Sequence, residues 1–137
     1  MDELMVVGEL PEQVDLLVVG DGPGGYVAAI AVAQAGCKVT LVDSQGEAGL
    51  GGVCVNVGCI PSKALIELTH AAHSAHDWAD KGLTGVTAPG IDMAAFQEWK
   101  TQVVGGLNTG VRQLLSAAGV DVKQGYFRFT QIGRAHV

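Results

Sequence analysis

Positive charge is the first thing this sequence is short of. Eight lysines and arginines stand against fourteen aspartates and glutamates, for a net charge of −6 at pH 7 and a pI of about 5.0. The basic residues form no cluster, which argues against nucleic acid as a partner, because phosphate binding needs a basic patch. Long hydrophobic runs are lacking too, and no apolar stretch reaches the roughly 18 residues of a membrane helix. The opening MDELMVVGEL is acidic where a secretory leader is basic, so a cytoplasmic location is expected and export is not. Cysteine is sparse: Cys37, Cys54 and Cys59 are too few for a closed framework of structural disulfides. They also lack the CxxC pairs of a structural zinc site. In a cytosolic chain a close cysteine pair reads as redox-active or catalytic rather than as a staple.

What is present is a globular composition. Apolar residues make up 48% of 137 residues and the mean hydropathy is +0.32, enough for one domain with a core and too little for two. Residues 1–13 read as an extension, with Met5 as an alternative start and Pro11, Glu12 and Gln13 as linker. From Asp15 the run LLVVG has the apolar, β-branched character of a buried parallel strand. GDGPGG, Gly20 to Gly25, follows it and leads into YVAAIAVAQA, a small-residue helix that stops before Gly36. KVTLVD, Lys38 to Asp43, reads as a second buried strand, completing a β-α-β unit. In that context the glycines carry physical roles. Gly20 makes the tight turn, Gly22 lets a pyrophosphate approach the backbone, and Gly25 permits close packing of helix on strand. The phosphates would sit at the helix N-terminus. Asp43, closing the second strand roughly 20 residues later, would accept hydrogen bonds from a ribose.

The second informative stretch is GGVCVNVGCIPSK, Gly51 to Lys63. On a regular helix Cys54 and Cys59 would lie about 140° and roughly 7.5 Å apart, too divergent for a disulfide. If the sulfurs pair, the turn between them must be irregular. Gly58 gives the backbone that freedom, and Pro61 suits the first turn of the helix that follows. Cys59 would then stand at the positive end of that helix, where a thiolate is favoured. Lys63 shares its face four residues on.

These residues resemble the redox-active centre of the flavin-dependent pyridine nucleotide-disulfide oxidoreductases, and CIPSKAL, Cys59 to Leu65, resembles the dihydrolipoyl dehydrogenase branch of that family. Mercuric and glutathione reductases are similar but usually differ at Ile60 or Ser62. The resemblance implies an α/β fold: a Rossmann-like FAD-binding domain with a parallel sheet, incomplete, over residues 14–130. It implies FAD held by Gly20, Gly22, Pro23, Gly24, Gly25, Asp43, Gly51, Gly52, Val53, Cys54, Lys63 and Gly125. It further implies that Cys54 exchanges with a substrate dithiol, that Cys59 faces the flavin as a thiolate, and that Lys63 stabilises the flavin. The implied parent oxidises dihydrolipoamide, carried on an acyltransferase or carrier protein of a 2-oxoacid dehydrogenase complex, with NAD+. The family's NAD-binding domain and its homodimer interface, with a His-Glu acid/base pair, have no counterpart here. Two alternatives stand beside this reading: a mercuric or glutathione-type reductase, and, for the chain alone, an inactive FAD-binding module.

Two residues depart from the family pattern. Asp21 replaces a small apolar residue and sets a carboxylate beside the expected pyrophosphate, where it either turns to solvent or weakens binding. Asp43 is one methylene shorter than the more usual glutamate. The other expectations are structural. A helix from about Pro61 toward Trp78 carries His70, His73 and His76, whose spacing drifts by about 60° per step; surface histidines are expected there rather than a metal site. Cys37 is expected in the core. A loop spans Gly82 to Gly90 with a short strand at Leu83 to Val86, and Asp92 caps a long helix whose stripe is Phe96, Trp99, Val103, Leu107, Val111 and Leu114, ending at Gly119. Strands follow at Val120 to Val122 and Tyr126 to Phe129. Gln131 to Val137, QIGRAHV, does not continue the family pattern. It back-translates to the start of a common sequencing adapter preceded by one base, so an artefact of a truncated read is expected.

Overall fold

The strand β2, Val39–Asp43, is the axis of the molecule. Its first four residues are fully buried, as expected of a β-branched, apolar run covered on both faces. A computed structural model describes residues 12–85, 90–131 and 134–136. On one side β2 pairs in parallel with β1, Leu16–Val19, in the register Leu16 to Val39 and Val19 to Val42. On the other it pairs in parallel with β3, Asp121–Gln124, from Thr40 opposite Asp121 to Asp43 opposite Gln124. The order β1-β2-β3 leaves β1 with one strand neighbour among the described residues, so β1 is half-buried rather than fully buried as expected from its sequence.

Parallel neighbours need crossover connections. The first is α1, Pro23–Gln34. The second is long and carries a 3-10 turn at Gly46–Gly49, a short helix α2 at Gly52–Asn56, and the long helices α3, Cys59–Ala79, and α4, Met93–Ala118. Asp92 caps α4 as expected, its Oδ1 accepting from the amides of Ala94 and Ala95 at 2.9 and 3.1 Å. Gly119, at φ +76°, ends the helix in the left-handed region that glycine occupies without strain. Beyond β3, a pair β4, Arg128–Gln131, and β5, Arg134–His136, runs antiparallel.

One core unites these pieces: Val39 and Leu41 of β2, Ala29 of α1, Leu50, Val111 and Leu115 of α4, and Val120. Along α4 the buried positions are Phe96, Val111 and Leu115. Leu115 replaces the expected Leu114, which is exposed; steps of three and four both fit a helical stripe, and the step of four from Val111 is the one that enters the core. Three further expectations are corrected. Cys37 is exposed, because the strand begins two residues later at Val39. Leu83 to Gly85 form no strand, and Val86 lies outside the described residues. Tyr126 and Phe127 precede β4 rather than beginning it, and Tyr126 is exposed. Glu12, read as linker, is tied down by ion pairs with Lys38 at 3.0 Å and with Lys123, which hold its carboxyl below the usual range. Residues 1–11, 132, 133 and 137 lie outside the described residues, and so does most of the expected extension.

Candidate dinucleotide and dithiol site

The turn between β1 and α1 is built from backbone. Gly20 has φ +97°, and its amide donates to the Val42 carbonyl at 2.8 Å, tying the end of β1 to the end of β2. A Cβ on Gly25 would collide with the Gly20 carbonyl, so only glycine lets α1 start this close to the strand. Gly22 and Gly24 face open space. Pro23 occupies the first turn of α1, which has neither a side-chain cap nor an acidic residue there. Free amides at a helix N-terminus, beneath a glycine with nothing above it, form a cradle for an anionic group. Asp43 ends β2 beside this turn, and Gly125 reaches it from β3, its amide donating to the Asp43 carbonyl at 3.0 Å. Gly51 joins from the second crossover through its amide bond to the Asp21 carbonyl at 3.1 Å. Gly52 backs onto Gly22, where a Cβ would lie 2.7 Å from the Gly22 Cα. The residues present therefore fit a dinucleotide laid across the C-terminal ends of the strands.

Asp21 does not turn to solvent. It is 3% exposed, and its Oδ2 has no hydrogen-bond partner among the described residues. Burial, with the Asp43 charge adding to it, pushes the Asp21 carboxyl up to about 6.

The dithiol stretch is irregular where the cysteine spacing demands it. Helix α2 ends at Asn56, and Gly58, with φ −106° and ψ −98°, lies outside the ordinary helical and extended regions. Helix α3 restarts at Cys59, and Pro61 falls in its first turn. The break folds the chain so that Cys54 and Cys59 interact. Both are free cysteines in the structure. A hydrogen bond with the Cys59 side chain and partial desolvation raise the Cys54 thiol above its ordinary value, while the Lys63 ammonium works against the rise. Cys59 is exposed at the α3 N-terminus. Val53, next to Cys54, and Val57, between the two cysteines, are 74% and 75% exposed.

Two residues that sequence reasoning passed over hold this stretch. The Asn56 Nδ2 donates to the carbonyls of Gly49 and Gly52, both at 2.9 Å. The Asn108 Nδ2, on α4, reaches the Leu50 carbonyl and the Asn56 Oδ1. Arg112, one turn on, pairs with Glu47 at 3.1 Å and donates to its carbonyl. The signal was available in Asn108 itself, a poor helix former in the middle of a long helix. His70, His73 and His76 are exposed on α3, and His73 stands 3.6 Å from Asp77. No helix among the described residues is long and apolar enough to cross a membrane.

The sequence profile of the pyridine nucleotide-disulphide oxidoreductases matches residues 14–134. Dihydrolipoyl dehydrogenase of Bacillus subtilis (strain 168) is 49% identical over 133 residues, covering 97% of this chain and 27% of that protein. Dihydrolipoyl dehydrogenase of Pseudomonas aeruginosa is 50% identical over 115 residues, covering 82% and 24%. Among solved structures, the copper(II) complex of the HOCl-induced flavoprotein disulfide reductase RclA of Escherichia coli matches with a TM-score of 0.65 at 27% identity, over 88% of this chain and 24% of that one. The chain thus spans about a quarter of the length of these relatives.

Proposed function

The chain belongs to the pyridine nucleotide-disulphide oxidoreductase family, and on that premise we propose that it is the FAD-binding and dithiol part of a dihydrolipoyl dehydrogenase, spanning residues 14–130. The observation that carries the reading is the joint placement of an open glycine cradle and a paired dithiol, linked through the contact of Gly52 with Gly22. In this proposal Gly20, Gly22, Pro23, Gly24 and Gly25 receive the pyrophosphate, Asp43 the ribose, and Gly125 the adenine. Gly51, Gly52, Val53, Cys54 and Lys63 line the path toward the flavin ring. FAD held there would supply a two-electron acceptor beside the Cys54-Cys59 dithiol, and NAD+ would be held by the rest of the parent.

The residues of this chain carry the thiol chemistry. In the disulfide form, one thiolate of dihydrolipoamide attacks the Cys54 Sγ and expels the Cys59 Sγ as a thiolate. The second substrate thiolate attacks the substrate sulfur of the mixed disulfide and expels the Cys54 Sγ, so that lipoamide leaves and the protein keeps the dithiol. The Lys63 ammonium favours negative charge at Cys54. Cys59→Ser in the full-length parent is expected to abolish lipoamide turnover while FAD stays bound. Turnover that persists in that variant sinks the assignment.

The exposure of Val53 and Val57 beside the dithiol favours a second reading for the chain taken alone, as a dinucleotide-binding module without turnover. An absorption spectrum of the purified chain separates the two questions. A flavin band with a long-wavelength shoulder after two-electron reduction supports a formed site, and a colourless protein supports dependence on the rest of the parent.

A further inference from the structure

Asp21 is the one group in the glycine turn that the proposed chemistry does not use. It lies inside the turn, 3% exposed, with its Oδ2 unpartnered. The Oδ2 would be 3.4 Å from a Cβ on Gly49, and the Oδ1 3.3 Å from a Cβ on Gly52. The carboxyl group is therefore packed between the 3-10 turn and the glycine that backs onto Gly22. The charged groups around it give no relief. Neither β1 nor α1 carries a charged residue. Glu47 of the 3-10 turn is turned away to Arg112. Asp43 of β2 opposes a charge on Asp21, and among the described residues no cation acts on it. Lys63 bears on Cys54 instead. Only the amides of Asp21 and Gly52 favour the ionised form, and burial outweighs them. A pyrophosphate over Gly22 would add negative charge on the far side of a thin wall of glycine backbone, where screening by water is weak.

We propose that dinucleotide binding by this chain is proton-linked through Asp21: its carboxyl group takes one proton from solvent when the pyrophosphate seats over Gly22 and returns it when the site empties. This rests on the FAD reading above and adds a regulation of that same site, in which mild acid tightens cofactor retention and mild alkali loosens it. The direction follows from linkage: the bound form carries more protons than the empty form above pH 6, so affinity falls as pH rises.

The test uses the full-length protein carrying this chain, stripped of flavin, with FAD as the probe. Affinity is read by flavin fluorescence between pH 5 and pH 8, and proton uptake by calorimetry in two buffers of different ionisation enthalpy. A single linked proton gives an affinity that is level below about pH 6 and falls by at most about tenfold per pH unit above it. Uptake above pH 6 rises to at most about one proton per FAD. In Asp21→Asn both the slope and the uptake vanish. FAD bound by wild type and variant with parallel pH profiles overturns this inference alone. FAD bound by neither at any pH overturns the cofactor reading and this inference with it. Should Asp21→Asn not fold, the proton count on the unaltered protein decides, and a count of zero overturns the proposal.

Discussion

In the turn from Gly20 to Gly25 the constraints on Gly20 and Gly25 lie within one β-α-β unit, and the ties from outside it are the Gly51 amide on the Asp21 carbonyl and the backing of Gly52 on Gly22. The Gly20 amide is fixed by β2, Gly25 must be glycine because the Gly20 carbonyl fills the place of its Cβ, and no side chain from elsewhere is needed. The turn from Gly51 to Lys63 is held the other way. Its backbone leaves the regular regions at Gly51, Gly52 and Gly58, and amides from Asn56 and from Asn108, on a helix some 50 residues later, keep it in place. A site made from backbone tolerates change around it, whereas a site made from remote side chains inherits every fault of its support. The phosphate cradle and the redox pair should therefore fail independently.

The sharpest break in that comparison is within the cradle. Gly25→Ala drives a methyl group into backbone that cannot yield, and is expected to cost about 3 kcal/mol or more in urea unfolding, at the severe end for a single substitution. Gly22→Ala has open space and an extended backbone, φ −63° and ψ 176°, so its stability should stay within about 0.5 kcal/mol of wild type. On the FAD reading proposed above the same methyl group would stand where the pyrophosphate approaches, and FAD affinity is expected to fall by at least about tenfold, the equivalent of ~1.4 kcal/mol. Equal stability losses in the two variants would mean that Gly25 is not the packing glycine.

The support of the dithiol turn gives the next effect. Asn108→Ala leaves the carbonyl of Leu50, a fully buried residue, with only the longer bond from the Asn56 Nδ2 at 3.3 Å, which is expected to cost about 1 kcal/mol. The informative readout is local. Amide hydrogen exchange should quicken over residues 49–58 while the Gly20 amide, bonded to the Val42 carbonyl, keeps its protection. Uniform loss across both turns would show that the two are one cooperative unit.

The two turns also differ in how far the sequence discloses them. The cradle was legible because its rules are local: a strand, glycines at fixed offsets and an acid closing the next strand each follow from short-range geometry. For the same reason Asp92 and Gly119 marked the ends of α4. The irregular break between Cys54 and Cys59 followed from helix geometry, but the pairing and the role of each sulfur came only from the likeness to a family. What the sequence hid depends on long-range packing. Nothing nearby tells whether Asp21 faces water or the interior, whether Leu114 or Leu115 meets β2, or that Asn108 reaches back to Leu50.

The smallest expected effect lies in the titration of Cys54, and it tests whether the dithiol turn brings its three chemical groups together. Two influences of opposite sign act on that thiol: the Cys59 side chain raises it and the Lys63 ammonium lowers it. Alkylation proceeds through the thiolate, so at a fixed pH below the thiol's own value the rate follows the ionised fraction. Lys63→Met removes the favourable charge, and iodoacetamide should modify Cys54 more slowly at pH 8. Cys59→Ala removes the hydrogen bond and the repulsion, and Cys54 should react faster. Both changes are modest because the groups are near solvent and salt screens them. Mass spectrometry resolves Cys54 from the exposed Cys37, whose rate should not move and which serves as the internal reference. Shifts of the same sign in both variants would mean that access rather than charge controls the sulfur, and the electrostatic part of the site would have to be redrawn around Cys59 alone.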